Sequence, residues 1–267
     1  MTRSTCKETG DLSEEDLRID KIRSSFILRN KFRKIAGKRR LGILWIAFDP
    51  IITSIIYLFV LTVLRSKAEP ESLFIGITLY RILSNSLKSG CVSVTDFSGG
   101  IMAERVRTRS LIPPIIQYRI IDTVVSTIGA ALILSLFFHV PSEGIVGFLL
   151  ISQLVGFLFE GLGHNLAPLV KRIPDVNNII GHILKFMFFA GPVLYPMSFA
   201  SGLHYQFNEC NPFAYFAEYC RFLAGLDSAF EDLNKGIFLS FVLVLTLLTW
   251  RGYHRIDKFR WEMSSWS

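Results

Sequence analysis

The chain is polar for about its first forty residues and then apolar in long blocks separated by short charged breaks. Residues 1–17 show no periodicity. From Arg18 to Lys34, apolar positions recur at helical spacing (Ile19, Ile22, Phe26, Ile27), with Phe32 and Ile35 extending the stripe. Arg18, Lys21, Arg23, Arg29, Lys31, Arg33 and Lys34 fill the rest. This pattern predicts a basic amphipathic helix in the headgroup plane, its stripe in acyl chain and its cations on anionic lipid. A basic juxtamembrane tail that only sets topology is the simpler alternative.

Beyond Lys38-Arg39-Arg40 the blocks approach or reach the length of about 20 residues that crosses a bilayer, and six spans are predicted. Span 1 runs from Leu41 to Leu64. Span 2 begins near Ser72 and is weak, interrupted by Arg81, Asn85 and Lys88; it fades into a basic amphipathic piece around Gly100 to Ser110. Pro113-Pro114 punctuates the entry to span 3, which ends near Phe138. Span 4 covers Ile145 to Leu169 and span 5 Val176 to Ala200. Ser201 to Asn234 is too apolar for a plain loop and too broken for a span, and a re-entrant helical pair buried against protein fits it. Span 6 is Gly236 to Trp250. The expected class is an all-α polytopic membrane protein. Its divisions are residues 1–40 as tail and interfacial helix, 41–254 as one transmembrane domain, and 255–267 as a C-terminal tail.

Composition agrees: of 267 residues 51% are apolar, only 19% are charged, and the charges are bunched. A net charge of +7 in a soluble protein would point to nucleic acid. Here the cations flank apolar spans, so no nucleic-acid partner is expected. With the N-terminus inside, 22 of 29 Lys and Arg fall on inner segments and four on outer ones, which places both termini in the cytoplasm. Residues 1–17 lack the apolar core of a cleavable signal peptide, so the first span is expected to act as its own insertion signal.

Chemistry for catalysis is sparse. The sequence contains no GxxxxGK[ST], HExxH, GxSxG or CxxC, so no catalytic residue, metal or nucleotide is assigned to this chain. Glu160 and His164 lie i, i+4 on span 4. An internal hydrogen-bonded pair packing that span to a neighbour is a simpler reading than a metal or catalytic site. Lys185, inside span 5, reads as a partner for a carboxylate or as a channel-lining cation. Asp49 has Arg81 or Lys185 as candidate partners. Cys210 and Cys220 share an outer segment; free buried thiols are expected, since nothing fixes their distance.

The order of parts resembles the transmembrane subunit of type-2 ABC exporters, in the branch that moves capsular polysaccharide and O-antigen. An R-L-G-x-L-W-x-x-x-x-P-like opening of the first span is matched by Arg40, Leu41, Gly42, Leu44, Trp45 and Pro50, with Asp49 where Glu is also common. P-x-x-Y-P and N-P…R elements are matched by Pro192, Tyr195, Pro196, Asn211, Pro212 and Arg221. The likeness runs over about residues 18–260. It implies a bacterial or archaeal inner-membrane protein that dimerises with a second copy of itself and docks two copies of a separate ATPase subunit, which binds ATP and Mg. It implies a coupling helix around Gly100 to Ser110, with Ile101, Glu104, Arg105, Arg107 and Arg109 facing the ATPase; the Arg105 to Arg109 run is more basic than the family pattern. The Ser201 to Asn234 pair would line the exit, and Tyr195, Phe199, Phe213 and Tyr215 would offer aromatic faces to a sugar polymer. An aromatic belt or helix-packing core is the plainer account of those rings. The competing readings are another cargo (teichoic acid, glycolipid or drug), a membrane enzyme on lipid-linked sugars, which lacks a visible acidic cluster, and a channel or secondary transporter, which lacks a visible internal repeat.

Overall fold

The structure, a computed structural model, describes residues 14–36, 44–63, 69–93 and 108–264. Among these residues it is helical, with no strand. The helices are α1 (Glu14–Ala36), α2 (Leu44–Val63), α3 (Pro70–Val92), α4 (Thr108–Leu136), α5 (Ser142–Arg172), α6 (Asp175–Ala190), α7 (Leu203–Glu209), α8 (Pro212–Leu223) and α9 (Lys235–Ser264), with a single 3-10 turn at Met197–Phe199. Ser110–Leu136, Ser142–Arg172 and Lys235–Ile256 are long and apolar enough to cross a bilayer, and Phe48–Val60 is a shorter apolar helix.

Local chemistry explains several boundaries. Pro70 and Pro212 sit at helix starts, where the missing N–H has no intrahelical partner to lose. The Asn211 side chain accepts from the Phe213 amide at 3.0 Å and caps α8. α6 stops at Ala190, ten residues before the predicted end of span 5. Pro192 has no N–H for the Phe188 carbonyl, and its ring would collide with it. Pro113 and Pro114 do not open α4: the helix starts at Thr108 and runs through both. Ser201 to Asn234 does contain a helical pair, α7 and α8. Span 6 and the tail are one continuous helix, α9, which passes the predicted boundary at residue 254.

α3 and α5 form the centre, with α4, α8 and α9 packed on α5 and α1 on α4. The predicted weak span is the most enclosed helix: every residue of α3 from Ser72 to Tyr80 is buried. A stretch wrapped by protein needs no lipid-compatible face; of the residues that interrupt the span, Arg81 pairs with Asp49, while Asn85 and Lys88 are exposed. α3 and α5 approach closely where Gly90 meets Gly163. A Cβ on Gly163 would lie 2.4 Å from the Leu87 carbonyl oxygen, and one on Gly90 would lie 2.3 Å from the Glu160 carbonyl oxygen. Both clashes are with backbone, which cannot swing aside.

Gly163→Ala is therefore expected to destabilise the purified protein by about 1–3 kcal/mol or more through overpacking. Gly181→Ala, where an added Cβ meets nothing within 4 Å, should be neutral or stabilising by up to about 1 kcal/mol. Thermal unfolding in detergent measures both, and equal behaviour of the two variants would contradict the close α3–α5 contact.

Candidate functional site

Two polar centres lie inside this apolar bundle. The first is built on Arg119 of α4, which is 0 % exposed. Its guanidinium donates to Glu160 of α5 at 2.9 Å and to Asp122 at 3.0 Å. Glu160, also 0 % exposed, accepts at its other oxygen from the Tyr253 hydroxyl of α9 at 2.9 Å. One turn on, His164 Nδ1 lies 2.8 Å from the Ser93 hydroxyl and 3.3 Å from the Gly90 carbonyl, which accepts from Ser93 Oγ at 2.8 Å. That arrangement leaves Nδ1 as the donor. The imidazole meets the Tyr253 ring edge-on, with centroids 4.8 Å apart. Nearby, Arg81 Nε donates to Asp49 at 2.6 Å and Nη1 to Ser126 at 3.3 Å, tying α3 to α2 and α4. Lys31 of α1 sits 4.1 Å above the Tyr118 ring, so the amphipathic helix touches the same region.

The second centre organises the irregular segment after α6. Arg221 and Glu218 of α8 are both 0 % exposed and pair at 2.7 Å. Arg221 donates to the Pro192 and Val193 carbonyls at 2.8 and 3.3 Å and to Ser72 Oγ at 2.7 Å. Glu218 accepts from the Met197 amide at 2.9 Å and the Ala229 amide at 2.8 Å. Backbone that has left the helix thus finds its partners in one ion pair. Space is tight: a Cβ on Gly76 would lie 2.0 Å from the Val193 carbonyl oxygen. The last carbonyl of α6, on Ala190, accepts from Asn208 Nδ2 at 3.0 Å and the Tyr195 hydroxyl at 3.1 Å, and lies 2.9 Å from His204 Nε2. Glu69, just before α3, is raised above the usual carboxyl range, first by burial, then by the charges of Asp227 and Glu71, with Arg221 opposing.

The sequence-derived residues separate into groups. Arg40, Leu41 and Gly42, and Ile101, Glu104, Arg105 and Arg107, lie outside the described residues, as does the side chain of Arg109. Trp45 is exposed on α2, and Pro50 is buried within that helix, its carbonyl accepting from Ser54 at 2.8 Å. Asp49 takes Arg81, not Lys185, which is exposed on α6. Glu160 and His164 do not bond each other; Glu160 pairs with Arg119 of α4 and His164 with the end of α3, and Tyr253 of α9 touches both. Phe213 and Tyr215 are buried, the first edge-on to Tyr80 and the second stacked on Phe238. Pro196 is buried and Phe199 exposed. Cys210 is exposed rather than buried, Cys220 is buried, and both are free thiols. Residues that sequence reading did not single out are Arg119, Asp122, Glu218, Tyr253, Ser72 and Ser93. Their only signal was polarity inside apolar blocks. Among the described residues no group of three or more His, Cys, Asp or Glu is placed to hold a metal ion. The chemistry present is charge pairing and hydrogen bonding between helices.

Breaking a buried ion pair from one side costs about 3–5 kcal/mol, because the remaining charge is stranded. Glu160→Gln alone should lower thermal stability by that order. Arg119→Met in the same chain should restore much of the loss, giving a large coupling in a double-mutant cycle. Additive effects would show that the two side chains do not pair.

Residues 25–224 match the ABC-2 type transporter family. The chain is also 24% identical over 162 residues to the O-antigen export system permease protein RfbA of Myxococcus xanthus, an alignment covering 59% of this chain and 62% of that protein. The family match spans α2 to α8 and both buried ion pairs, with Tyr253 and Ala229 beyond its end, and it selects a transport subunit over a membrane enzyme. The all-helical bundle, its apolar helices and this match together establish that the chain belongs to the ABC-2 type transporter family.

Proposed function

We propose that this chain is the membrane-spanning subunit of an ATP-driven exporter that carries a cell-surface polysaccharide, capsule or O-antigen, out of the cytoplasm across a bacterial or archaeal inner membrane. The observation that carries the cargo assignment is the likeness to an O-antigen export permease, on top of family membership. The chain has no phosphate-binding loop, so a separate ATPase supplies ATP and Mg chemistry. Two copies of this chain pair with two copies of that subunit. Six spans put both termini in the cytoplasm, supported by the lysine and arginine bias. The segment 100–110 meets the ATPase, and its motion enters the bundle through α4, which begins at its end. The Asp20 carboxylate of α1 accepts from Ser110 of α4 at 2.8 Å, so the amphipathic helix follows the same motion. Arg40 to Pro50 shapes the entrance, and the α7–α8 pair, held by Arg221 and Glu218 against the outer end of α3, frames the exit as a re-entrant element.

Pull-down of the tagged full chain from its native membrane, with mass spectrometry of what accompanies it, tests the assembly. A nucleotide-binding subunit in near-equal amount is expected; the chain alone, under conditions that preserve a known ABC complex, would sink it. Loss of surface polysaccharide on deletion tests the cargo, and an intact polysaccharide coat would move the assignment to teichoic acid, glycolipid or drug export. Arg107→Glu should reduce ATPase stimulation and export severalfold while leaving membrane insertion intact. Unchanged export would remove segment 100–110 from the coupling role.

A further inference from the structure

An open groove of about 570 Å³ runs between α5, α8 and the first turns of α9. Its walls are apolar and partly aromatic: Ile151 and Leu154, Phe216, and Phe238 and Val242, with Lys235 among the lining residues. Lys235 and Val242 are seven residues apart on one helix, about 10 Å along its axis. The cleft is therefore elongated, with its cation at one end. It opens onto a surface that is itself apolar, where Leu150, Leu154, Leu239 and Leu243 are exposed. At about 30 Å³ for a group the size of a water molecule, the volume holds about nineteen such groups, the bulk of one acyl chain.

The polar end narrows the occupant. Lys235 is exposed and forms no ion pair with any described residue, so its ammonium is available to a phosphate. Glu231 and Asp232 are exposed on the turn that leads into α9, within four residues of Lys235, and neither bonds it. One cation beside two carboxylates repels a head carrying several negative charges. It complements a head that carries a phosphate and, a few ångströms away, a primary ammonium. We propose that this groove is a phospholipid site for a zwitterionic lipid with a primary amine. One acyl chain lies along Phe216, Phe238 and Val242, the phosphate rests on Lys235, and the amine on Glu231 and Asp232. A wet apolar cleft of this size would be unfavourable beside hydrocarbon, so an acyl chain is the favoured filling. The site requires that α5 and α9 cross the bilayer and is independent of the cargo.

The test uses the full chain in phosphatidylcholine liposomes doped with phosphatidylethanolamine bearing a photoreactive group about halfway along one acyl chain, with crosslinked peptides mapped by mass spectrometry. Labelling is expected to concentrate on the peptides carrying Phe238 and Val242, severalfold above the exposed α5 positions around Val146. Lys235→Gln and the pair Glu231→Gln with Asp232→Asn should each bring it down to the level given by a phosphatidylcholine probe. Val242→Trp should fill the groove and abolish the enrichment, whereas Leu243→Trp, on the neighbouring exposed face, should leave it, which separates groove loss from misfolding. Even labelling over all apolar surfaces would overturn the proposal, as would equal labelling by phosphatidylglycerol, a head without the amine. Displacement by an isoprenoid phosphate, but not by excess phosphatidylethanolamine, would reassign the groove to a cargo-type lipid and overturn it too.

Discussion

A guanidinium cannot sit inside an apolar bundle without carboxylates to meet it, and the placement of Arg119 constrains much of this fold. Its partners come from its own helix and from α5, and the carboxylate on α5 is held in turn by a tyrosine on α9. Charge pairing in a medium of low polarity is demanding in distance and angle. The rotation of α4, α5 and α9 about their axes is therefore set at one level. The His164–Ser93–Gly90 contact fixes α3 against α5 close by. Apolar packing alone tolerates sliding; this arrangement does not.

The same requirement, met differently, explains the non-helical stretch after Ala190. Unpaired backbone is costly away from water. A single helix, α8, carries the cation for the carbonyls and the anion for the amides, three residues apart on one face. The breadth of the guanidinium fork matters there, since one point charge would not reach Pro192, Val193 and Ser72 together. By contrast α6 is held lightly, and both it and α2 keep broad apolar faces outward, with Phe48, Ile55 and Phe59 on α2 and Ile179, Ile183, Phe186 and Phe189 on α6. Elements with few buried contacts are those that move at least energy.

How much was legible in the sequence follows from the kind of information each feature needs. Apolar block length and proline position are local, so the helices and most of their ends could be read directly. Two of the local errors have one cause each. Apolar composition continued past Gly191, masking the helix stop at Ala190, and Pro113-Pro114 looked like a start because prolines favour first turns, whereas α4 carries them inside. Partnership is not local. Glu160 and His164 looked like a pair because they share a helix face, yet a shared face points both side chains at neighbouring helices, and Arg119 is 41 residues from Glu160. Span 2 looked weak for a related reason: hydropathy measures compatibility with lipid, and α3 meets protein from Ser72 to Tyr80.

The continuity of α9 has a mechanical meaning. Thirty residues of helix measure about 45 Å, and the hydrocarbon core of a bilayer measures about 30 Å. About a third of the rod must therefore stand clear of the membrane. A stiff cantilever, rooted by Tyr253 and Gly252 against α5, converts a small tilt inside the bundle into a larger sweep at its free end.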